Sequence, residues 1–157
     1  MTDIDYPPTR TVTLEQALAD VDERLAGLDD RLDKLEDDAD ATDQAIGEAR
    51  ADRRDAARER DALQWAIEEF GGEAEITLEA HTTTTRSRVL DTANQRTMGS
   101  LGQSQLADWL HAAGVVKAPW LEGGEDLQER HALLGALPPA LADWIGRQLE
   151  DLNDLGN

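Results

Sequence analysis

Residues 13–37 read TLEQALADVDERLAGLDDRLDKLED, and this stretch decides the fold. Its apolar residues are Leu14, Leu18, Val21, Leu25, Leu28, Leu32 and Leu35. Their spacing alternates four and three without an error. A 3.5-residue period keeps one stripe of a helix against a helical partner, so these seven residues form a candidate oligomer seam. Thr13 followed by Gln16 is a capping-box pattern, and Glu15 places negative charge at the positive end of the helix dipole.

Continued in register, the seam meets Ala39, Thr42, Ile46, Ala49, Arg53, Ala56, Arg60, Leu63, Ile67 and Phe70. The register survives to Phe70, but its apolar content lapses between Asp37 and Arg60. Two architectures follow. One is a single helix over 13–70, about 85 Å long at 1.5 Å per residue. The other is a helical hairpin that turns near Asp40, where Asp37, Asp38, Asp40 and Asp43 repel one another. The unbroken register favours the single helix; the matched arms and Gly47 favour the hairpin. Arg50, Arg53, Arg54, Arg58 and Arg60 alternate with Asp52, Asp55 and Glu59. That pattern reads as a solvated face laced with i,i+3 and i,i+4 pairs rather than an anion patch.

Outside this element, residues 1–12 hold Tyr6, Pro7 and Pro8 without periodicity and read as a mobile arm. Gly71-Gly72 stops the helix. Residues 73–157 read as a small helical domain. Glu75–Glu79 alternates like one short strand, whose partner is either Val115-Val116 or another subunit. Helices are expected over 86–96, capped by Thr84 or Thr85, and over 103–113, stopped by Gly114. A further helix starts at Glu125-Asp126, and a last one follows Pro138-Pro139. The fold class is mainly α: a long N-terminal heptad element, coiled coil or hairpin, then a small helical bundle with one short strand.

Composition limits the chemistry. The chain carries 34 acids against 15 Lys and Arg, a net charge of −19. Lys34 and Lys117 are its only lysines. Acid excess with arginine retained over lysine suits molar salt, where the Debye length is about 3 Å and self-repulsion is screened. It argues against a nucleic-acid surface, which needs clustered positive charge. With no cysteine there is no disulfide, thiolate ligand or thiol nucleophile. No apolar run has the length of a membrane span and no signal peptide pattern is present, so the chain reads as soluble and cytoplasmic.

His81, His111 and His131 lack metal-ligand spacing and read as three separate surface or rim histidines. Nothing pairs a nucleophile with a base, so no enzyme, cofactor or metal is expected. Of the four tryptophans, Trp65, Trp109, Trp120 and Trp144, three fall in the C-terminal half. They either fill a small core or line a groove for a helical protein partner. The candidate groove is Trp120, Leu141, Trp144 and Ile145, with Trp120 after Pro119 expected at the surface.

From Ile76 onward the order of features is distinctive. Ile76-Thr77-Leu78 precedes a threonine-containing helix start and Val89-Leu90-Asp91. Leu134-Gly135-Ala136-Leu137-Pro138-Pro139 leads into Trp144-Ile145, and Glu150-Asp151-Leu152-Asn153 follows. This order resembles the tail assembly chaperones of long-tailed viruses. Joined to the salt-adapted composition, the resemblance implies a tailed virus of a halophilic archaeon and a host-cytoplasmic, non-enzymatic helper that coats the tape-measure protein before the tail tube polymerises. The alternative is an oligomeric scaffold subunit of a virion or cell, assembling through the seam and docking through the C-terminal part.

Overall fold

The structure, a computed structural model, describes residues 7–99 and 101–155, with Ser104 described by its backbone alone. Among these residues lie six helices and three strands, in two compact units. The first six residues of the expected arm lie outside the described residues.

Residues 13–73 form the first unit, a helical hairpin. Helix α1 spans Leu14–Asp37 and α2 spans Asp43–Phe70. The single helix favoured by the register is therefore broken at 38–42. The break is well supplied with hydrogen bonds. The Asp38 carboxylate accepts the Asp40 N–H (2.9 Å), and the Thr42 hydroxyl accepts the Ala45 N–H (3.1 Å) and so caps α2. The acidic run thus provides both a turn and a new helix start. Folding back gives the leucine stripe a partner within the same chain.

The Thr13–Gln16 capping box forms as expected, with hydrogen bonds of 3.0 and 3.2 Å. At the open end of the hairpin, the Glu15 N–H donates to the Gly72 carbonyl (3.0 Å). A Cβ on Gly72 would lie 2.4 Å from the exposed Glu15 side chain, which would have to swing aside.

On the second helix one of the two expected seam lines holds and the other shifts by one residue. Ala49, Ala56 and Leu63 are buried as the heptads require, but the intervening line runs through Glu59 and Ala66 instead of Arg60 and Ile67. Arg53 and Arg60 consequently leave the seam and flank it. Arg60 reaches Asp22 (2.6 Å) and Arg53 reaches Asp29. On the other flank Arg24 reaches Glu59 (2.7 Å) and Arg31 reaches Asp52 (3.8 Å). On each flank the α1 partner advances by seven while the α2 partner retreats by seven, which is antiparallel heptad pairing. These arginines pair across the hairpin, not along α2. Exposed pairs contribute roughly 0.2–1 kcal/mol each, so their main effect is on register.

The second unit contains residues 1–12 and 74–157. Residues 9–12, expected in a mobile arm, instead form strand β1 (Thr9–Thr13) together with the helix cap Thr13. Sheet order is β1-β2-β3, with β2 at Glu75–Glu79 and β3 at Val115–Lys117. The Ala80 N–H donates to the Pro8 carbonyl (2.9 Å), and the Thr11 and Thr77 hydroxyls share a hydrogen bond (2.9 Å). As one partner rises from 8 to 11 the other falls from 80 to 77, so the strands run antiparallel. Strand β2 pairs antiparallel with β3, Leu78 opposite Val115, which is one of the two partners its sequence allowed.

Helices α3 (Thr83–Thr97), α4 (Gln103–Gly114), α5 (Leu127–Gly135) and α6 (Pro139–Leu155) complete this unit. Thr82, not Thr84 or Thr85, caps α3. The core gathers Ile76 and Leu78 from β2 with Leu141, Trp144, Ile145, Leu149 and Leu152 from α6. Helices α4 and α6 approach closely at two glycines. A Cβ on Gly114 would lie 2.6 Å from Leu149, and one on Gly146 would lie 2.5 Å from the His111 ring. Gly114, expected as a helix stop, is thus also a packing requirement.

Candidate functional site

Two regions offer surface for function, one in each unit. On the hairpin, cover over the leucine stripe falls off along α1. Leu14, Ala17 and Val21 are buried; Leu18, between them, is half-buried, as are Leu25, Leu28, Leu32 and Leu35. Opposite them α2 supplies Ala49, Ala56 and half-buried Ala45 and Ile46. A single facing helix of small side chains leaves the flanks of leucines uncovered, since a fully enclosed stripe needs a third or fourth helix. Four of the five half-covered leucines, Leu25, Leu28, Leu32 and Leu35, form an unbroken run toward the 38–42 loop.

The expected groove does not form. Leu141 and Ile145 are fully buried and Trp144 is 2 % exposed, so these three close the core. Trp120 is half-buried in the turn after Pro119. Trp109 is buried too, packed with Val89 and Ala93. Among the tryptophans, Trp65 on α2 is the exposed one, its ring edge-on to Phe70 at 6.0 Å.

The second region was not legible in the sequence. His81 and His111, 30 residues apart, line one cleft of about 370 Å³ with Thr82, Thr83, Arg86, Leu110, Glu150 and Asn153. His81 occupies the single position between buried Ala80 and the α3 cap Thr82. Its backbone N–H donates to Asn153 Oδ1 (2.8 Å) on α6, and its ring bonds to the Leu110 carbonyl on α4. His81 therefore ties three elements together. Burial lowers its pKa below the ordinary 6.5; the bond to Leu110 raises it, and His111 and Arg86 lower it further. Burial also lowers the pKa of His111, against the opposing pull of Asp108, Glu150 and Asp143.

His131 stands apart, stacked on Trp109 with ring centroids 3.8 Å apart and planes 6° from parallel. It lines a second cleft of about 300 Å³ with Asp108 and Asp143. Among the described residues no group of three or more histidines and acids is placed to hold a metal ion. No helix described is long and apolar enough to cross a membrane. No protein-family model, curated protein or solved structure matches this chain.

Proposed function

We propose that this chain is a non-enzymatic assembly protein whose hairpin receives a helical segment of a protein partner. The observation that carries this reading is the half-covered line Leu25, Leu28, Leu32 and Leu35 on an otherwise charged element. Leucines held in register by flanking ion pairs are suited to an amphipathic helix laid alongside them. The unit spanning 13–73 has 20 acids against 8 bases. That excess favours a partner helix with arginine or lysine beside its apolar stripe and disfavours a second copy of this hairpin. The narrower reading, a viral tail assembly chaperone whose partner is the tape-measure protein, is supported by the resemblance of the C-terminal half alone.

The test is sedimentation of the full chain with and without a designed amphipathic helix bearing leucines and flanking arginines. Saturable one-to-one binding that is lost in Leu32→Asp, at unchanged helicity, supports the proposal. A doubled mass without peptide assigns the stripe to a second copy. No association of either kind overturns the reading.

A further inference from the structure

Strand β1 lies at one edge of the sheet and pairs with β2 alone. Its antiparallel register fixes which way each backbone group points. The Pro8 carbonyl accepts the Ala80 N–H, so residues 8, 10 and 12 turn their backbone groups toward β2. By alternation Thr9, Thr11 and Thr13 turn theirs outward. The Thr13 N–H is taken by Gln16 Oε1 (3.0 Å) in the first turn of α1. The N–H and C=O groups of Thr9 and Thr11 meet no partner among the described residues, and both threonines are exposed. An edge of this kind offers aligned donors and acceptors to an incoming strand.

Side chains decide what can pair there. Thr9 and Thr11 share one face of the sheet with Thr77, whose hydroxyl meets that of Thr11. Arg10 points to the opposite face, where its Nη1 donates to Gln148 Oε1 on α6 (2.9 Å). Arg10 is half-buried and reaches no carboxylate among the described residues, whereas Arg24, Arg31, Arg50, Arg53 and Arg60 in the hairpin each do. An inward-pointing charge guards an edge strand, because a strand added beside it must bring a counter-charge. A second copy of β1 brings none. The antiparallel self-pairing that satisfies both threonines sets Thr9 opposite Thr11 of the other copy, and so sets each Arg10 against its own counterpart. The neighbouring registers meet Pro7, which has no N–H, or Thr13, whose N–H is committed.

We infer that the β1 edge accepts an extended segment of another protein that carries an aspartate or glutamate opposite Arg10. The segment runs antiparallel to β1. The two residues flanking its acid exchange backbone hydrogen bonds with Thr9 and Thr11, and their side chains join the threonine face. The acid points to the α6 side, where its carboxylate meets the Arg10 guanidinium. Gln148 is neutral and occupies one nitrogen of that fork, which leaves further N–H donors for the carboxylate. Backbone pairing gives affinity without regard to sequence, and the acid selects the partner. This edge belongs to the second unit and does not rest on the helical partner proposed for the hairpin.

The test titrates the full chain, in molar KCl to screen its overall charge, with capped peptides Val-Thr-Xaa-Thr-Val in which Xaa is Glu, Gln or Lys. Backbone amide signals and their hydrogen exchange are followed by NMR. In the free chain the Thr9 and Thr11 amides should exchange freely, unlike those of Arg10 and Val12, which face β2. The glutamate peptide should shift both threonine amides saturably and protect them. It should bind about fivefold tighter than the lysine peptide, with glutamine between them. Arg10→Gln should erase that order while leaving weak binding. Thr11→Pro removes an outward N–H that β2 does not use, so it should abolish binding at unchanged circular dichroism. A peptide N-methylated at both threonines cannot donate to β1 and should fail to bind the unaltered chain, which keeps the test independent of how the proline variant folds. Overturning results are Thr9 and Thr11 amides already protected in the free chain, no saturable shift with any peptide, equal affinity for the glutamate and lysine peptides, or undiminished binding of the N-methylated one.

Discussion

The two units of this chain are built from different materials. The hairpin over 13–73 carries a net −12 on 61 residues, and its contact surface is leucine against alanine with five ion pairs beside it. The unit of residues 1–12 and 74–157 carries −7 on 96 residues and encloses Trp144, Leu141, Ile145 and Leu149. The first is specified by period and charge, the second by side-chain volume. A repeated 3.5-residue pattern needs few large residues because every turn makes the same contact. A non-repeating core needs bulky side chains and close approaches, which here are given by Trp144 and by Gly114 and Gly146.

The largest test of this contrast is salt. In molar KCl the repulsion among the surplus carboxylates is screened; at about 0.1 M the Debye length reaches about 10 Å and repulsion returns. Hydrogen exchange by mass spectrometry should then show the hairpin amides losing protection before those of the other unit. Equal protection of both units at low salt would break the link between acidity and salt requirement.

Core volume is tested next. Trp144→Ala should cost about 3–5 kcal/mol in the 74–157 unit, from lost burial and the cavity left behind. Protection should fall there and persist in α1 and α2. A parallel loss in the hairpin would mean that the two units unfold as one.

A smaller effect is expected inside the hairpin. Glu59 is the one charged residue buried among those described, 5 % exposed and held by Arg24. Arg24→Ala leaves its carboxylate buried without that partner, at a cost of roughly 1–3 kcal/mol, moderated because Arg24 itself is one-third exposed. Replacing both by leucine should restore most of the stability while loosening the register, visible as broadened NMR signals along α1 and α2. Full recovery with an unchanged spectrum would show that the pair does not specify register.

Local patterns carried much of this architecture into the sequence. The α1 cap, the leucine stripe, the alternation of β2 and the apolar face of α6 each depend on residues within a few positions of one another. The features that escaped depend on distance. The register continued across 38–42 because a heptad pattern does not distinguish a helix that runs on from one that turns back; the turn depended on the Asp38 and Thr42 side chains. Strand β1 was hidden because Thr9–Thr13 follows two prolines and ends on the residue that caps α1. The cleft was least legible of all. His81 and His111 have no local relation, and only the sheet and the α4–α6 packing bring them together.

The smallest expected effect concerns protons, and it separates the units because all three histidines lie in the second. Burial lowers the pKa of His81, His111 and His131 below 6.5 in the folded chain. The unfolded chain then binds more protons than the folded one at and below pH 6.5, so stability rises with pH. The stability contribution is complete above 6.5 and is lost as pH falls from there through the folded values. For His111 and His131 the burial effect is opposed by Asp108, and for His111 also by Asp143 and Glu150. For His81 burial is opposed by the bond to the Leu110 carbonyl and joined by His111 and Arg86. His81 is more deeply buried than His131, so His81→Asn should flatten the pH dependence more than His131→Asn. Between about pH 7.5 and 5.5 most carboxylates stay ionised, so the hairpin, with no histidine, should keep its protection while that of α3 and α4 declines. Urea unfolding at several pH values in molar salt, with exchange read separately for each unit, measures both slopes. A hairpin that weakens in step with α3 and α4 would show that the acid response is global, not seated at the three imidazoles.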